Sequence, residues 1–206
     1  MNNFLHMYFI MGSMNASDPI GTLEKALQHG VTCFQLREKG PNALRGTAYV
    51  QFARQCQALC QQYGVPFIVN DDVALALQLD ADGVHVGQDD LSVNAVAALF
   101  PQKIIGVSVH NRMQLEEAIQ RGASYVGIGP IYETTSKLDA QAPSGLTFLR
   151  EAKKAYPSYP IVAIGGIHER NAHRVRQAGA DGISVISAIC KSDNIARTIQ
   201  KLSADH

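Results

Sequence analysis

The chain has 206 residues, of which 46% are hydrophobic and 17% charged, and its 18 basic and 18 acidic residues give a formal net charge of zero. This composition is that of a globular protein of one or two domains. The charge balance excludes binding to nucleic acid through bulk positive charge, and no apolar run approaches the roughly 18 residues of a membrane span. The charge balance does not exclude binding of small anionic ligands, because such binding needs only a few local cations and backbone N–H groups.

Short β-rich segments alternate with helical patterns along the whole chain. The predicted strands are Met7–Met11, Thr32–Leu36, Pro66–Val69, Gly83–Val86, Ile104–Val109, Tyr125–Ile128, Ile161–Ile164 and Gly182–Ile186. Predicted helices between them include Leu44–Tyr63, Asp72–Leu79, Val93–Phe100, Arg112–Arg121, Leu146–Tyr156 and Arg170–Ala178, with Ser92 and Asn111 as N-caps. This alternation predicts a parallel sheet covered by helices, and the lack of any linker or charge block predicts one domain over residues 1–206.

A faint internal repeat favours a closed (β/α)₈ barrel of the TIM type over an open sheet. Segments that begin at Gly30, Asp80, Gly122 and Gly179 share the outline of a helix end, a tight turn and a strand, and they fall at every second predicted strand. A barrel builds its interior in layers from alternate strands. The aligned repeats place Gln35, His85, Gly127 and Ser184 in one layer, with Arg37, Gly87, Gly129 and Ile186 two residues nearer the active mouth. Any helix-to-strand turn has a similar outline, so the repeat supports the barrel without requiring it.

Cysteine use and the N-terminus predict a cytoplasmic protein. Cys56 and Cys60 lie four residues apart in an apolar helical pattern, which favours a buried pair of small side chains over a metal site or disulfide. Reduced thiols suit the cytoplasm. The segment from Met1 to Met14 has no Lys or Arg and no small-residue cleavage pattern, so it is predicted to hold the first strand and not a signal peptide.

The end of the second predicted strand carries charged side chains, and active sites of this fold lie at such strand ends. Its sequence is Gln35-Leu36-Arg37-Glu38-Lys39. Side chains alternate along a strand, so Gln35, Arg37 and Lys39 share one face while Leu36 and Glu38 share the other. Two cations beyond an inward amide form a cradle for a diphosphate. A solvated loop of mixed charge is the alternative.

Carboxylates follow the third and fourth predicted strands, as Asp71 and Asp72 and then Asp89 and Asp90. Acids at neighbouring strand ends can converge on Mg²⁺, which takes one or two carboxylates together with waters and phosphate oxygens. The same residues can instead cap the helices that follow, as Asp commonly does. Both interpretations stay open, including one residue for each purpose.

Phosphate-binding features follow the last three predicted strands. Gly165-Gly166 follows strand seven and Ile186-Ser187 follows strand eight, and barrels often bind phosphate with the loops after these two strands. The long loop over residues 130–145 carries Thr134, Thr135, Ser136 and Lys137, which suits a lid that touches phosphate. A loop without function is the alternative.

One histidine lies on the fourth predicted strand and another directly follows the fifth. His85 is predicted to be a hydrogen-bonded core residue, and His110 lies near the mouth with either role open. Neither has a Ser or Cys partner at a recognisable spacing, so the sequence contains no recognisable nucleophilic triad.

Taken together these segments resemble the thiamine phosphate synthase family over nearly the whole chain. The matching motifs are QLREK at Gln35–Lys39, ND at Asn70-Asp71, DGVHVGQDDL at Asp82–Leu91, GVSVH at Gly106–His110, YVGIGPIYETTSK at Tyr125–Lys137, AIGGI at Ala163–Ile167 and ADGISVIS at Ala180–Ser187. The resemblance implies a transferase that joins a pyrimidine, carried as its diphosphate, to a thiazole phosphate by a dissociative reaction with Mg²⁺. It implies no macromolecular partner, and a homo-oligomer stays open.

The resemblance also implies roles for single residues. Asp71 and Asp90 would hold Mg²⁺. Arg37, Lys39, Ser108 and Lys137 would be catalytic, and the pyrimidine diphosphate would meet these four together with Gln35, Leu36, Glu38 and Asn70. The thiazole phosphate would meet Thr134, Thr135, Ser136, Gly166, Ile186 and Ser187.

The sequence departs from the family pattern at three places. The first strand ends Met11-Gly12-Ser13 where relatives carry Thr-Asp, Ser136 replaces a threonine, and Asp72 stands where many relatives have Arg. Three other interpretations remain: a thiazole tautomerase of the same fold, a non-catalytic thiamine phosphate sensor, and another phosphate-binding barrel enzyme such as an isomerase. The tautomerase has no use for a diphosphate metal site, so Asp71, Asp90, Arg37 and Lys39 argue against it.

Overall fold

The computed structural model describes residues 4–88, 90–134, 136 and 142–204. Eight parallel strands close into one barrel in the order of the chain, which confirms the predicted (β/α)₈ fold. The strands are β1 Met7–Met11, β2 Cys33–Leu36, β3 Phe67–Asn70, β4 Gly83–Val86, β5 Ile104–Val109, β6 Tyr125–Ile128, β7 Ile161–Ile164 and β8 Gly182–Val185. Each lies within one residue of its predicted bounds.

Helices surround the barrel. They are α1 Pro19–Gln28, α2 Gly46–Tyr63, α3 Val73–Gln78, α4 Val93–Leu99, α5 Arg112–Gln120, α6 Gly145–Ala155, α7 Ala172–Gln177, α8 Ser187–Cys190 and α9 Ile195–Ser203, with a 3₁₀ turn at Ser13–Asn15. The predicted N-caps are confirmed, since Ser92 and Asn111 accept hydrogen bonds from the backbone of α4 and α5. No helix in the described part of the chain is long and apolar enough to cross a membrane.

Two apolar layers hold the barrel and its helices together. The strands are almost wholly buried because one face packs against the helices and the other fills the barrel, as expected of parallel strands. The outer layer includes Phe9, Phe34 and Phe67 from β1, β2 and β3, and the three rings are in contact. Burial of such side chains is the main stabilising contribution to the fold.

The centre of the barrel is polar. The predicted layer of Gln35, His85, Gly127 and Ser184 is confirmed, because all four surround one small cavity of about 10 Å³ below the mouth. His85 is buried, as expected, and its two ring nitrogens bond to Tyr125 and Ser108. The barrel therefore carries a buried hydrogen-bonded group directly beneath its mouth.

Gly106 on β5 leaves the space that this polar centre occupies. A Cβ atom at Gly106 would overlap both the Tyr125 ring and the His85 imidazole. We expect Gly106→Ala to lower the free energy of unfolding by about 1–3 kcal/mol, the usual penalty for an added methyl group in a filled core. Denaturant unfolding measures the loss, with Gly127→Ala as the milder comparison because its Cβ would lie 3.3 Å from Cε1 of His85. Equal stability of Gly106→Ala and wild type would contradict this packing.

Candidate active site

A wide cavity of about 1200 Å³ opens at the carboxyl ends of the strands. Its lining combines charged, hydroxyl and glycine residues from β2 to β8. Sequence-predicted residues in the lining are Arg37, Lys39, Asn70, Asp71, Asp90, Ser108, Thr134, Ser136, Gly166, Ile186 and Ser187. The structure thus brings most of the predicted site together in one mouth, as this fold requires.

The end of β2 obeys the predicted alternation of side chains. Arg37 and Lys39 line the mouth, and Gln35 lies deeper, inside the barrel. Leu36 points the other way and is fully buried in the outer apolar layer. Neither the Leu36 nor the Glu38 side chain lines the mouth, and the contact with the substrate that the resemblance implies for these two residues stays a prediction.

Glu38 instead joins the ends of β1 and β2. Its carboxylate accepts hydrogen bonds from the Ser13 backbone at 2.7 Å, the Ser13 hydroxyl at 2.6 Å and the Leu44 backbone at 2.7 Å. The altered end of β1 thus supplies Ser13 as a partner for Glu38, outside the mouth. The role of this glutamate is to fix the loop that carries Lys39.

We expect Glu38→Gln to lower the free energy of unfolding by about 1 kcal/mol, because one acceptor for these three donors is lost. Turnover should stay within about threefold of wild type, since the side chain does not line the mouth. Thermal unfolding and steady-state kinetics measure the two effects. A large rise in the KM for the pyrimidine diphosphate, with unchanged stability, would restore a substrate-binding role for Glu38.

An acid pair lies where β3 and β4 end. The side chains of Asp71 and Asp90 are in contact, Lys39 forms an ion pair with Asp71, and Asp90 accepts a hydrogen bond from the Gly87 backbone at 2.7 Å. Burial raises the pKa of Asp71, the hydrogen bond from Lys39 opposes that rise, and the contact with Asp90 adds to it. Two carboxylates held together with one neighbouring ammonium group form a site short of positive charge.

The neighbouring acid has a different role. Asp72 is the N-cap of α3 and accepts a hydrogen bond from the Leu75 backbone at 2.9 Å. The sequence left capping and metal binding open, and the structure divides them between consecutive residues. The departure from the family pattern at position 72 therefore affects a helix terminus.

The acid pair fits a divalent cation. Mg²⁺ prefers one or two carboxylates and completes its shell with waters and phosphate oxygens. Asp71 and Asp90 supply the carboxylates, and Arg37 and Lys39 on the same wall can meet the phosphate groups. A cation between the two acids would also offset their repulsion, which adds to the effect of burial in raising the pKa of Asp71.

The opposite wall is built for a second anion. The Gly165-Gly166 turn follows β7, and Ser187 begins α8 after β8. Asn171 donates to the Gly166 carbonyl at 3.0 Å, which holds this turn in place. Backbone N–H groups at such a turn and at a helix start suit a phosphate.

The loop after β6 reaches this wall. The Ser136 hydroxyl donates to the Ser187 hydroxyl at 3.2 Å, and Thr134 Oγ1 accepts from the Ser136 backbone at 3.2 Å. Ser136 therefore lies beside Ser187 at the start of α8, and the contact of Thr134 and Ser136 with the thiazole phosphate stays a prediction. Thr135 and Lys137 lie outside the described residues, as does Asp89.

Several lining residues were not predicted from the sequence. Gln88 donates to the Ser108 carbonyl at 2.6 Å, and Lys191 stands one helical turn after Ser187, its backbone bonded to the Ser187 carbonyl at 3.0 Å. His110, which was left open, lines the mouth with Nδ1 2.6 Å from the Gly129 carbonyl. The i,i+4 spacing from Ser187 was the one sequence signal that could have found Lys191.

Comparisons with known proteins agree with the resemblance seen in the sequence. A family model described as thiamine monophosphate synthase matches residues 7–189. The thiamine-phosphate synthase of Lysinibacillus sphaericus is 59% identical over 197 residues, which are 95% of this chain and 92% of the relative. That of Geobacillus kaustophilus is 54% identical over 193 residues, or 93% of this chain and 87% of the relative. The solved thiamine phosphate pyrophosphorylase from Pyrococcus furiosus superposes with a TM-score of 0.87 at 32% identity, covering 97% of this chain and 94% of that chain.

Proposed function

The chain belongs to the thiamine monophosphate synthase family, and we propose that it joins a pyrimidine diphosphate to a thiazole phosphate, giving thiamine phosphate and pyrophosphate. One observation supports the proposal beyond the family: residues suited to binding anions line a single mouth in two separate groups, at the ends of β2 to β4 and after β7 and β8. The acid pair with Arg37 and Lys39 suits a diphosphate with Mg²⁺, and the Gly166–Ser187 wall suits a single phosphate. Two phosphorylated substrates therefore have room to meet between them.

In the reaction, the bond between the pyrimidine methylene carbon and the diphosphate oxygen breaks, and its electron pair leaves with pyrophosphate. Arg37 and Lys39 stabilise the charge that develops on the leaving group. Mg²⁺ held by Asp71 and Asp90 would supply further charge neutralisation there. The thiazole nitrogen then donates its lone pair to the methylene carbon, and no proton transfer is needed to form that bond.

The chain's own contribution is positioning and exclusion of water. Gln35 and Asn70 lie at the floor and rim of the mouth, where they can hold the aminopyrimidine between the two anion sites. The loop with Thr134 and Ser136 covers the thiazole phosphate, and the resemblance adds Lys137 as a catalytic residue that binds the pyrimidine diphosphate. No covalent enzyme intermediate is required, and the cysteines are unsuited to one, since burial raises the pKa of the Cys190 thiol to about 12.

The test is pyrophosphate release from the purified protein with both substrates and Mg²⁺. We expect release that requires both substrates and the metal, with thiamine phosphate formed in equal amount. Omission of either substrate and addition of EDTA are the controls. Pyrophosphate release without the thiazole phosphate would indicate a hydrolase, and no release from folded, Mg²⁺-loaded protein would favour the tautomerase or sensor.

The remaining parts of the proposal concern the whole chain. We place residues 1–206 in one domain that acts in the cytoplasm on small molecules. The four cysteines are free thiols, which suits a reducing compartment. Every residue assigned to the reaction comes from one chain, so the reaction needs no second subunit. A homo-oligomer of such chains is equally compatible with it.

A further inference from the structure

A series of hydrogen bonds crosses the interior of the barrel and ends at the mouth. Gln35 Nε2 donates to the Tyr8 hydroxyl at 2.9 Å, and the Tyr8 and Tyr125 hydroxyls lie 2.7 Å apart. The Tyr125 hydroxyl is 3.0 Å from Nδ1 of His85, and Nε2 of His85 is 2.9 Å from Oγ of Ser108. We call these five residues the Gln35–Ser108 chain. Its last member lines the wide cavity.

The hydrogen bonds have one favoured direction. An amide NH₂ group can only donate, so the Tyr8 oxygen accepts from Gln35 and its own proton is directed to Tyr125. Tyr125 in turn donates to His85, whose Nδ1 must then be unprotonated. The neutral imidazole carries its proton on Nε2 and donates it to Ser108.

The opposite direction leaves a buried proton poorly satisfied. If Tyr125 donated to Tyr8, the Tyr8 proton would have, among the described residues, only the Cys33 thiol close by, and sulfur is a weak acceptor. Tyr8 is 1% exposed, so bulk solvent does not reach it. The cavity of about 10 Å³ that it shares with Gln35 and Ser184 holds at most one water molecule. The Gln35 carbonyl oxygen and the Ser184 hydroxyl, unpartnered in the described part of the structure, also need that water. A buried donor without a good acceptor is unfavourable.

The orientation of the Gln35 amide follows from a similar comparison. With Nε2 on Tyr8, the Gln35 carbonyl oxygen has no partner among the described residues, and neither has the Ser184 hydroxyl. Both residues line the cavity of about 10 Å³, which is close to the smallest space that holds one water molecule. A reversed amide would place two N–H donors there in place of one acceptor, which is harder to satisfy.

We propose that the Gln35–Ser108 chain fixes His85 as its Nε2–H tautomer and thereby makes Ser108 a hydrogen-bond donor to the departing diphosphate. Because the Ser108 oxygen accepts from His85, its own proton is left to point into the mouth. Tyr125 and His85 are positioning residues that act through Ser108. The identity of the anion as a diphosphate rests on the proposed function. The assignment of the His85 tautomer rests only on the hydrogen bonds inside the barrel.

The surrounding packing holds this arrangement. The Tyr125 ring lies against both Tyr8 and His85, with ring centroids 5.9 Å and 5.5 Å apart. Gly106 and Gly127 on β5 and β6 leave the space for these rings. The carbonyl oxygen of Ser108 accepts a hydrogen bond from Gln88 at 2.6 Å, which fixes the backbone at the Ser108 end of the Gln35–Ser108 chain. Linked hydrogen bonds of this kind strengthen one another.

The tautomer can be read directly by nitrogen-15 NMR of the ligand-free protein labelled at histidine, near pH 7.5. The chain has seven histidines, and His85 is assigned as the signal that His85→Gln removes. We expect a protonated Nε2 and an unprotonated Nδ1. An Nδ1–H tautomer, or an imidazolium, would overturn the proposal. Because no turnover is involved, this result is independent of whether the protein makes thiamine phosphate.

A double-mutant cycle tests the connection to Ser108. We expect Tyr125→Phe to lower kcat/KM for the pyrimidine diphosphate about tenfold in the wild-type background and less than about twofold in the Ser108→Ala background. The KM for the thiazole phosphate should not change. Equal losses in both backgrounds would show that Tyr125 acts only on general stability. Should Tyr125→Phe not fold, the tautomer in the wild-type protein decides the question.

Discussion

Asp71→Asn is expected to lower kcat for thiamine phosphate formation by about a thousandfold or more, the scale on which loss of major transition-state charge stabilisation is felt. An amide cannot supply the negative charge that, in the proposed site, holds Mg²⁺ beside the diphosphate. Asp71 also forms an ion pair with Lys39, so the substitution disturbs the position of the Lys39 ammonium group as well as the proposed metal site. Pyrophosphate release at saturating substrate and Mg²⁺ measures the loss.

The same substitution should leave the fold intact. Asp71 has a φ of +61°, a left-handed conformation that asparagine also tolerates. A carboxyl whose pKa is raised by folding stabilises the fold only below its ordinary pKa, and it destabilises once the pH exceeds the raised value. Removing this charge beside Asp90 at neutral pH is therefore expected to raise the thermal midpoint of the metal-free protein.

Asp72→Asn is the matched control. It changes the adjacent acid in the same way, but Asp72 caps α3 and asparagine is an equally good N-cap. Activity and Mg²⁺-dependent stabilisation should both stay near wild type. Full activity of Asp71→Asn, or an equal loss in both variants, would contradict the assignment of Asp71 to the metal.

Much of this site follows from the alternation of strands and helices. Once the chain is known to close into a barrel, the residues after each strand must meet at one mouth, so Arg37, Lys39, Asp71 and Asp90 could be grouped before any contact was known. Period-two alternation also placed Leu36 and Glu38 on the far side of β2. The structure confirms this alternation for both side chains, while the substrate contacts that the family resemblance implies for the two residues stay a prediction.

The interior hydrogen bonds could not be predicted in the same way. Tyr8 and Tyr125 are separated by 117 positions in the sequence and meet only because the barrel closes. Each residue alone is typical of a buried strand. Asp71 lines the mouth while Asp72 caps α3, and this difference depends on a left-handed backbone conformation at Asp71 that no local sequence pattern indicated. Predictions from sequence were thus strong for strand ends and weak for contacts across the barrel.

Gly166→Ala is expected to raise the KM for the thiazole phosphate about 10- to 100-fold, with the KM for the pyrimidine diphosphate within about threefold of wild type. The added Cβ would lie 2.5 Å from the Glu133 carbonyl oxygen and 2.7 Å from Cβ of Tyr132. These atoms precede Thr134, so the clash displaces the loop that we propose covers the phosphate. Steady-state kinetics with each substrate varied in turn measures the two effects.

Gly122→Ala separates this clash from simple backbone strain. Gly122 has a φ of +80° and Gly166 a φ of +62°, so alanine is strained by about 1 kcal/mol at either position. A Cβ at Gly122 meets nothing within 4 Å in the described structure. Gly122→Ala should therefore lose only the stability that backbone strain costs, Gly166→Ala should lose more because of its clash, and only Gly166→Ala should weaken binding of the thiazole phosphate. If the two KM values rose equally, strain transmitted through the barrel would explain them, and the glycine turn after β7 would lose its place as the phosphate site.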